Sequence, residues 1–391
     1  MNESPVKRRF MAEKYKAAIY EHFCDPKNYS LSTGPVYGEE YKKLCNFLVE
    51  GYADLMTVDD ARVLLIQSEA SLTDRLFGGD LEGMPQTEYA KVVAQSAAET
   101  FSSYPRRYSC AMSIPQFFFG GLDGSEIEIA EDLRLILPNI DKCEAILIYY
   151  GEGFYIRGSK SPFATRLATL AKIFTFIVSK ISTQPFDNYG AVSKFSVFSE
   201  TGKLIGDIEP VEGLSYLLGG IRVSRYSLGQ ATFSEAVAQD AAPAEIKKYV
   251  LAVAPLIKSL RTREFSRIAT AIEWYVDSIG VYNQTVALLE VCIGLEALLG
   301  EEADMSEMTK RLCDRLAFTL GKTPSERKRY HSDYLALLQL RGKLVHAKIF
   351  RLKKDDELVL ENGRKMLKKM IDHEVEHICH DWTCIGLIGP V

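Results

Sequence analysis

No C-x-x-C pair occurs among the eight cysteines, which stand at 24, 45, 110, 143, 292, 313, 379 and 384. A chain of 391 residues needs no disulfide framework, so these scattered thiols read as reduced and mostly buried. No long apolar run occurs either. The most apolar stretch, Leu167 to Ile181, is broken by Lys172 and Lys180 and falls short of the roughly 20 apolar residues a membrane span needs. The first residues, MNESPVKRRF, carry charge throughout and lack an apolar h-region, so a cytoplasmic protein without a secretory signal is expected. Large charge excess is missing too: 47 basic and 52 acidic residues leave −5, which excludes a polycation built to coat nucleic acid. Internal repeats are absent.

What charge there is falls unevenly. Residues 244–391 hold 23 Lys+Arg against 21 Asp+Glu, leaving 24 against 31 for the rest of the chain. Between Gly321 and Met370 the count is 14 basic to 6 acidic, so a polyanion should meet the C-terminal part. The length suits two domains of roughly 100–150 residues or somewhat more. Helical periods over Met11–Phe23, Glu39–Thr57 and Glu88–Phe101 give way to short β-branched or aromatic runs. These are Tyr108–Phe119, Glu126–Ala130, Leu133–Leu137, Glu144–Tyr150 and Gly153–Arg157, with Gly151-Glu152-Gly153 read as a hairpin turn. Phe163–Ile181 returns to helix; Val192–Ser199 and Leu204–Ile208 are strands around Thr201-Gly202. After an Ala-rich, Pro-marked linker from Ala236, everything is helical: Ala244–Leu260, Thr262–Ile279, Gln284–Leu299, Ser306–Leu320, Pro324–Val345 and Asp355–Trp382. The expected fold is therefore two domains, an N-terminal α+β domain over 1–238 followed by an all-α helical bundle over 244–391.

Several short motifs carry possible chemistry. Gly321-Lys322-Thr323 imitates the end of a phosphate-binding loop, but Leu316 occupies the place of the earlier glycine and no strand precedes it. A helix cap is the better reading. Gly151-Glu152-Gly153 lacks the third glycine of a dinucleotide fingerprint, since position 156 is Ile. His373-Glu374-Val375-Glu376-His377 formally matches the zinc-protease pattern H-E-x-x-H, which sets two imidazoles on one helix face. Residues 378–391 contain no glutamate for a third ligand, though Asp381 could stand one turn on. Arg341-Gly342-Lys343-Leu344-Val345-His346 gives Arg-x4-His near a helix end. Five helical positions turn about 500°, so the two side chains diverge by ~140° and meet only if the helix ends between them or a second chain completes the site.

The run from Ala271-Ile-Glu-Trp-Tyr through Leu288-Leu-Glu-Val-Cys-Ile-Gly-Leu-Glu-Ala-Leu-Leu299, Thr309-Lys-Arg-Leu-Cys-Asp-Arg-Leu-Ala317 and Tyr334–His346 resembles the HEPN family. It is similar to the Apea-like branch at the C-terminus of prokaryotic antiphage proteins, over about residues 262–380. The resemblance implies metal-independent RNA cleavage by 2′-OH attack, without cofactor or metal, in a homodimer that brings two Arg-x4-His motifs to one cleft. It implies that His346 moves the proton of the 2′-OH or of the leaving oxygen, and that Arg341 holds the scissile phosphate. Glu296 falls at a recurrent acidic position, either to orient the arginine or as a structural residue. The family often has a polar residue after the arginine, where this chain has Gly342. Lys343 then substitutes as a phosphate contact, or the site is weakened.

Lys343, Lys348, Arg351, Lys353 and Lys354 would line the RNA approach; the alternative is a solvated helix end. The N-terminal domain would sense a phage-derived or regulatory trigger, and no membrane partner is expected. The leading expectation is thus an endoribonuclease effector, an RNA hydrolase of the toxin or abortive-infection kind. Two others stand beside it: a non-catalytic HEPN module for dimerisation or RNA binding, and a metalloenzyme on His373 and His377.

Overall fold

The computed structural model describes residues 5–30, 34–35, 38–50, 56–77, 85–115, 126–137, 144–155, 161–178, 195–208, 251, 253–300, 308–347 and 349–378. Helices α1 (Pro5–Cys24), α2 (Glu39–Glu50), α3 (Val58–Phe77) and α4 (Gln86–Ser102) come first, with a two-residue ladder of β1 (Tyr29–Ser30) and β2 (Gly34–Pro35) between α1 and α2. Tyr15, Ile19 and Phe23 of α1 repeat every four residues and are fully buried against α4. There Ala90, Ala94, Ala97 and Ala98 let the two backbones approach, while Tyr89, Val93 and Phe101 fill the space.

Of the expected helix Glu39–Thr57, α2 covers Glu39–Glu50, residues 51–55 lie outside the described residues, and Met56-Thr57 is not helical. Thr57 is the cap of α3: its backbone N–H donates to Asp60 Oδ2 at 2.7 Å, and the Asp60 N–H donates to Thr57 Oγ1 at 3.2 Å. This reciprocal pair satisfies two backbone donors at once, which is why a buried carboxylate (2% exposed) is tolerated here.

Six strands form one antiparallel sheet in the order β4-β5-β6-β3-β7-β8. They are β3 (Arg106–Pro115), β4 (Glu126–Ala130), β5 (Leu133–Ile136), β6 (Glu144–Gly153), β7 (Phe195–Ser199) and β8 (Leu204–Ile208). The β4–β5 hairpin pairs Ile127 with Leu135 and Glu128 with Arg134, then bulges between Glu128 and Ala130. Alternation places Ile127, Ile129, Leu133 and Leu135 in the core, with the Arg134–Glu126 ion pair (2.8 Å) on the wet face. Gly151-Glu152-Gly153 is not a turn: β6 runs straight through it. A Cβ on Gly153 would lie 2.6 Å from Phe163 Cδ2, so Gly153 marks close helix packing rather than chain reversal. The packed helix is α5 (Pro162–Val178).

The bundle consists of α6 (Ser266–Gly280), α7 (Gln284–Leu299), α8 (Met308–Leu320), α9 (Pro324–Val345) and α10 (Lys354–Ile378), preceded by helical residues 253–260. Its boundaries follow local chemistry. Asn283 caps α7 by accepting from the Thr285 N–H at 3.0 Å, and Thr323 with Glu326 forms the full capping box of α9. Leu288, Val291, Cys292 and Leu295 of α7 meet Tyr334 and Leu337 of α9 and Leu367, Met370 and Ile371 of α10, all buried. Gly294 permits this: a Cβ there would stand 2.8 Å from Leu367 Cδ2.

By contact the chain divides into two compact units. The first is Met1–Ser109, Tyr150–Leu167 and Val197–Ile208; the second is Cys110–Tyr149, Ala168–Ser196 and Glu209–Val391. The expected junction at 238–244 lies outside the described residues. Within the second unit, the bundle is fastened to the later half of α5 and to the β4–β5 turn. Lys172, 9% exposed, pairs with Asp277 at 2.7 Å; Thr169 hydrogen-bonds Glu273; Phe176 meets Tyr275 edge-on at 5.6 Å. Arg261 holds Asp132 with both arms of its guanidinium, which keeps that carboxyl below its ordinary range. Deleting one partner of the Lys172–Asp277 pair would strand a buried charge, at a cost of the order of 3 kcal/mol. Among the described residues no helix is long and apolar enough to cross a membrane. Cys45, Cys110, Cys292 and Cys313 are buried and unbridged, and burial raises the first two thiols to about 11 and about 12. Cys143, Cys379 and Cys384 lie outside the described residues.

Candidate functional site

Helices α7 and α9 run side by side in the core, and this brings Glu296 and Arg341 together across 45 residues of sequence. Arg341 Nη1 donates to Glu296 Oε1 at 2.7 Å, with the two side chains 38% and 31% exposed. The carboxylate therefore fixes the guanidinium while leaving part of its donor fork toward solvent. Beneath the pair, Tyr334 lies one heptad before Arg341 on the same face of α9 and is fully buried. Its hydroxyl has no hydrogen-bond partner among the described residues. Burial, with Cys292 and Glu296 nearby, pushes its pKa far above the usual phenol range, so it stays protonated. Tyr334 was not singled out from sequence, although its i−7 spacing from Arg341 was the available signal.

The helix does not end between Arg341 and His346. α9 continues through Val345, and His346 is its C-cap, with its N–H bonded to Gly342 O at 3.1 Å. His346 is exposed, and Ala347 after it turns the chain with φ 52°. The ~140° divergence between the two side chains thus persists within one chain. A Cβ on Gly342 would meet nothing within 4 Å, so the surface between them is open. Val345 (62% exposed) on α9 and Ile293 on α7, one turn before Glu296, add exposed apolar area to the same faces as Arg341 and Glu296.

Lys343, Arg351, Lys353 and Lys354 are exposed, and none pairs with a carboxylate among the described residues. Lys348 lies outside the described residues. Asp355, Asp356 and Glu357 follow immediately in the first turn of α10, where the helix dipole favours them, and Asp356 accepts from the Lys353 N–H at 2.9 Å.

The other motifs resolve differently. Gly321 donates its N–H to Ala317 O at 2.9 Å as the end of α8, and the Thr323 hydroxyl is spent on the α9 cap, so no phosphate loop exists there. On α10, His373 and His377 stack with ring centroids 4.3 Å apart, and His377 Nδ1 is 2.8 Å from His373 O. Burial, and next the His377 charge, lower the His373 pKa, with Glu374 and Glu376 opposing. Among the described residues no group of three metal-ligating side chains comes together. His380 and Asp381 lie outside them.

No protein-family model matches the chain, and no curated protein and no solved structure matches it. The case for a function therefore rests on the residues themselves.

Proposed function

We propose that the protein is a metal-independent endoribonuclease of HEPN type, acting as a homodimer in which Arg341 and His346 of two chains complete one cleft. The observation that carries this reading is the half-exposed Arg341, fixed by Glu296 and separated from an exposed His346 by a single open turn of α9. His346 would take the ribose 2′-OH proton as general base, or return a proton to the leaving 5′ oxygen. Arg341 would bind the scissile phosphate and offset charge on the pentacoordinate transition state. The products would be a 2′,3′-cyclic phosphate and a 5′-OH. Lys343, Arg351, Lys353 and Lys354 would draw the RNA backbone toward that cleft. The biological setting that fits such an effector is toxin or abortive-infection defence against phage, with the α+β region as trigger sensor in the cytoplasm.

Gly342 favours a second reading, a non-catalytic HEPN module that dimerises or binds RNA, because no polar side chain follows the arginine. The metalloenzyme reading is weaker, since no third metal-ligating side chain joins His373 and His377 among the described residues. One assay separates the three: RNA incubated with the full chain in excess EDTA, with product ends identified and assembly followed by sedimentation. Cleavage to cyclic-phosphate ends by a dimer supports the first reading. RNA binding without cleavage supports the second, and cleavage abolished by EDTA the third.

A further inference from the structure

The first compact unit contains a cleft of about 740 Å³, within the roughly 300–1,000 Å³ typical of small-molecule sites. It is lined by the end of α4, the start of β3, the β7–β8 turn and part of α3, all within that unit. Its chemistry is unusual in how one cation is held. Arg106 directs Nε (3.1 Å) and Nη2 (2.7 Å) to the hydroxyl of Ser103, whose own proton goes to Thr100 O at 2.7 Å. Its guanidinium carbon lies 4.7 Å from the centroid of the Tyr104 ring. The arginine is thus oriented by a neutral hydroxyl and an aromatic face, and no carboxylate neutralises it among the described residues. Arg107, the next residue, is different: Glu152 pairs with it at 2.8 Å.

Around that oriented cation the cleft presents the rings of Tyr104, Tyr108 and Tyr155 and the carboxylate of Glu200. Tyr155 is anchored by donating to Asp207 O at 3.0 Å, so the wall is preformed. The Arg106 Nη1, which makes no hydrogen bond among the described residues, suits a phosphate, aromatic and apolar walls suit a planar ring, and a carboxylate beside them suits a ribose diol. We propose that this cleft is a binding site for a nucleotide, with Arg106 on the phosphate. The proposal does not depend on the ribonuclease reading.

The test is calorimetric titration of the full chain with ATP, GTP, adenosine and inorganic phosphate. Binding of at least one nucleotide is expected, weakened about tenfold or more in Arg106→Ala; this side chain is exposed, and its loss should change thermal unfolding little. Arg107→Ala should stay within about twofold, because its charge is already compensated. Arg341→Ala, on the bundle, should bind as the parent does, which separates this site from any RNA cleft. No binding of either nucleotide at millimolar concentration overturns the proposal. So does undiminished binding by Arg106→Ala, or phosphate alone binding as tightly as the nucleotides.

Discussion

Helices α9 and α10 both carry histidines toward their C-terminal ends, and they present them in opposite ways. His346 caps α9 in open solvent, one helical turn from an arginine held by Glu296. His373 and His377 lie within α10, stacked on each other, with one ring nitrogen given to a carbonyl. By spacing alone, the H-E-x-x-H pattern is the more specific motif. By environment, the Arg-x4-His pattern is the one with an oriented cation and an exposed histidine. Motif specificity and chemical readiness are separate properties, and the second is set by what the neighbouring helix contributes.

The largest expected effect lies in this contrast. His346→Ala and Arg341→Ala should each lower RNA cleavage by about 10²–10⁴-fold, with thermal unfolding nearly unchanged, and the double variant should be no worse than either alone. His373→Ala combined with His377→Ala should leave cleavage intact; the reverse pattern would break the comparison. A smaller loss should follow Glu296→Gln, which keeps shape but loosens the arginine. Its kcat should fall about tenfold with little change in KM for RNA, and stability should change by less than about 1 kcal/mol, because the pair is one-third exposed.

Smaller again is the charge effect in the segment that links the two helix ends. Replacing Lys353 and Lys354 by Glu should weaken RNA association and reduce the slope of log affinity against log salt by about 2. An unchanged slope places the RNA elsewhere. The smallest effect concerns pH. His373 has its folded-state pKa below the ordinary 6.5, so the unfolded chain binds more protons in the window just below that value. Stability from this group is present above pH 6.5 and is lost as pH falls toward the lowered pKa. His373→Gln should therefore flatten the acid side of a plot of melting temperature against pH.

Much of the bundle was legible because its boundaries are written locally. Asn283 and Thr323 cap their own helices, and the expected limits of Gln284–Leu299 and Pro324–Val345 coincide with those observed. The strands Glu126–Ala130 and Leu204–Ile208 were likewise readable as short, bounded runs. Helix α3 was not bounded from sequence, since the expected helix ended at Thr57, the residue that with Asp60 caps α3 instead. Gly151-Glu152-Gly153 misled because glycine signals both turns and close packing, and only the approach of Phe163 decides between them. Glu296 beside Arg341 was expected from the family resemblance, not from periodicity. The Lys172–Asp277 pair joins residues 105 apart, and no periodicity encodes such a partner. The nucleotide-sized cleft was invisible for the same reason.

The central claim is that Arg341 and His346 act across a dimer, because one helix holds them ~140° apart. Mixing the two inactive variants tests it most directly. Arg341→Ala and His346→Ala protomers are unfolded, combined in equal amounts and refolded, and RNA cleavage is measured in EDTA. Half of the dimers are then mixed, and each carries one site with an intact arginine from one chain and an intact histidine from the other. The account predicts recovery to about a quarter of the parent activity. A mixture that forms mixed dimers yet stays as inactive as either variant alone would contradict it.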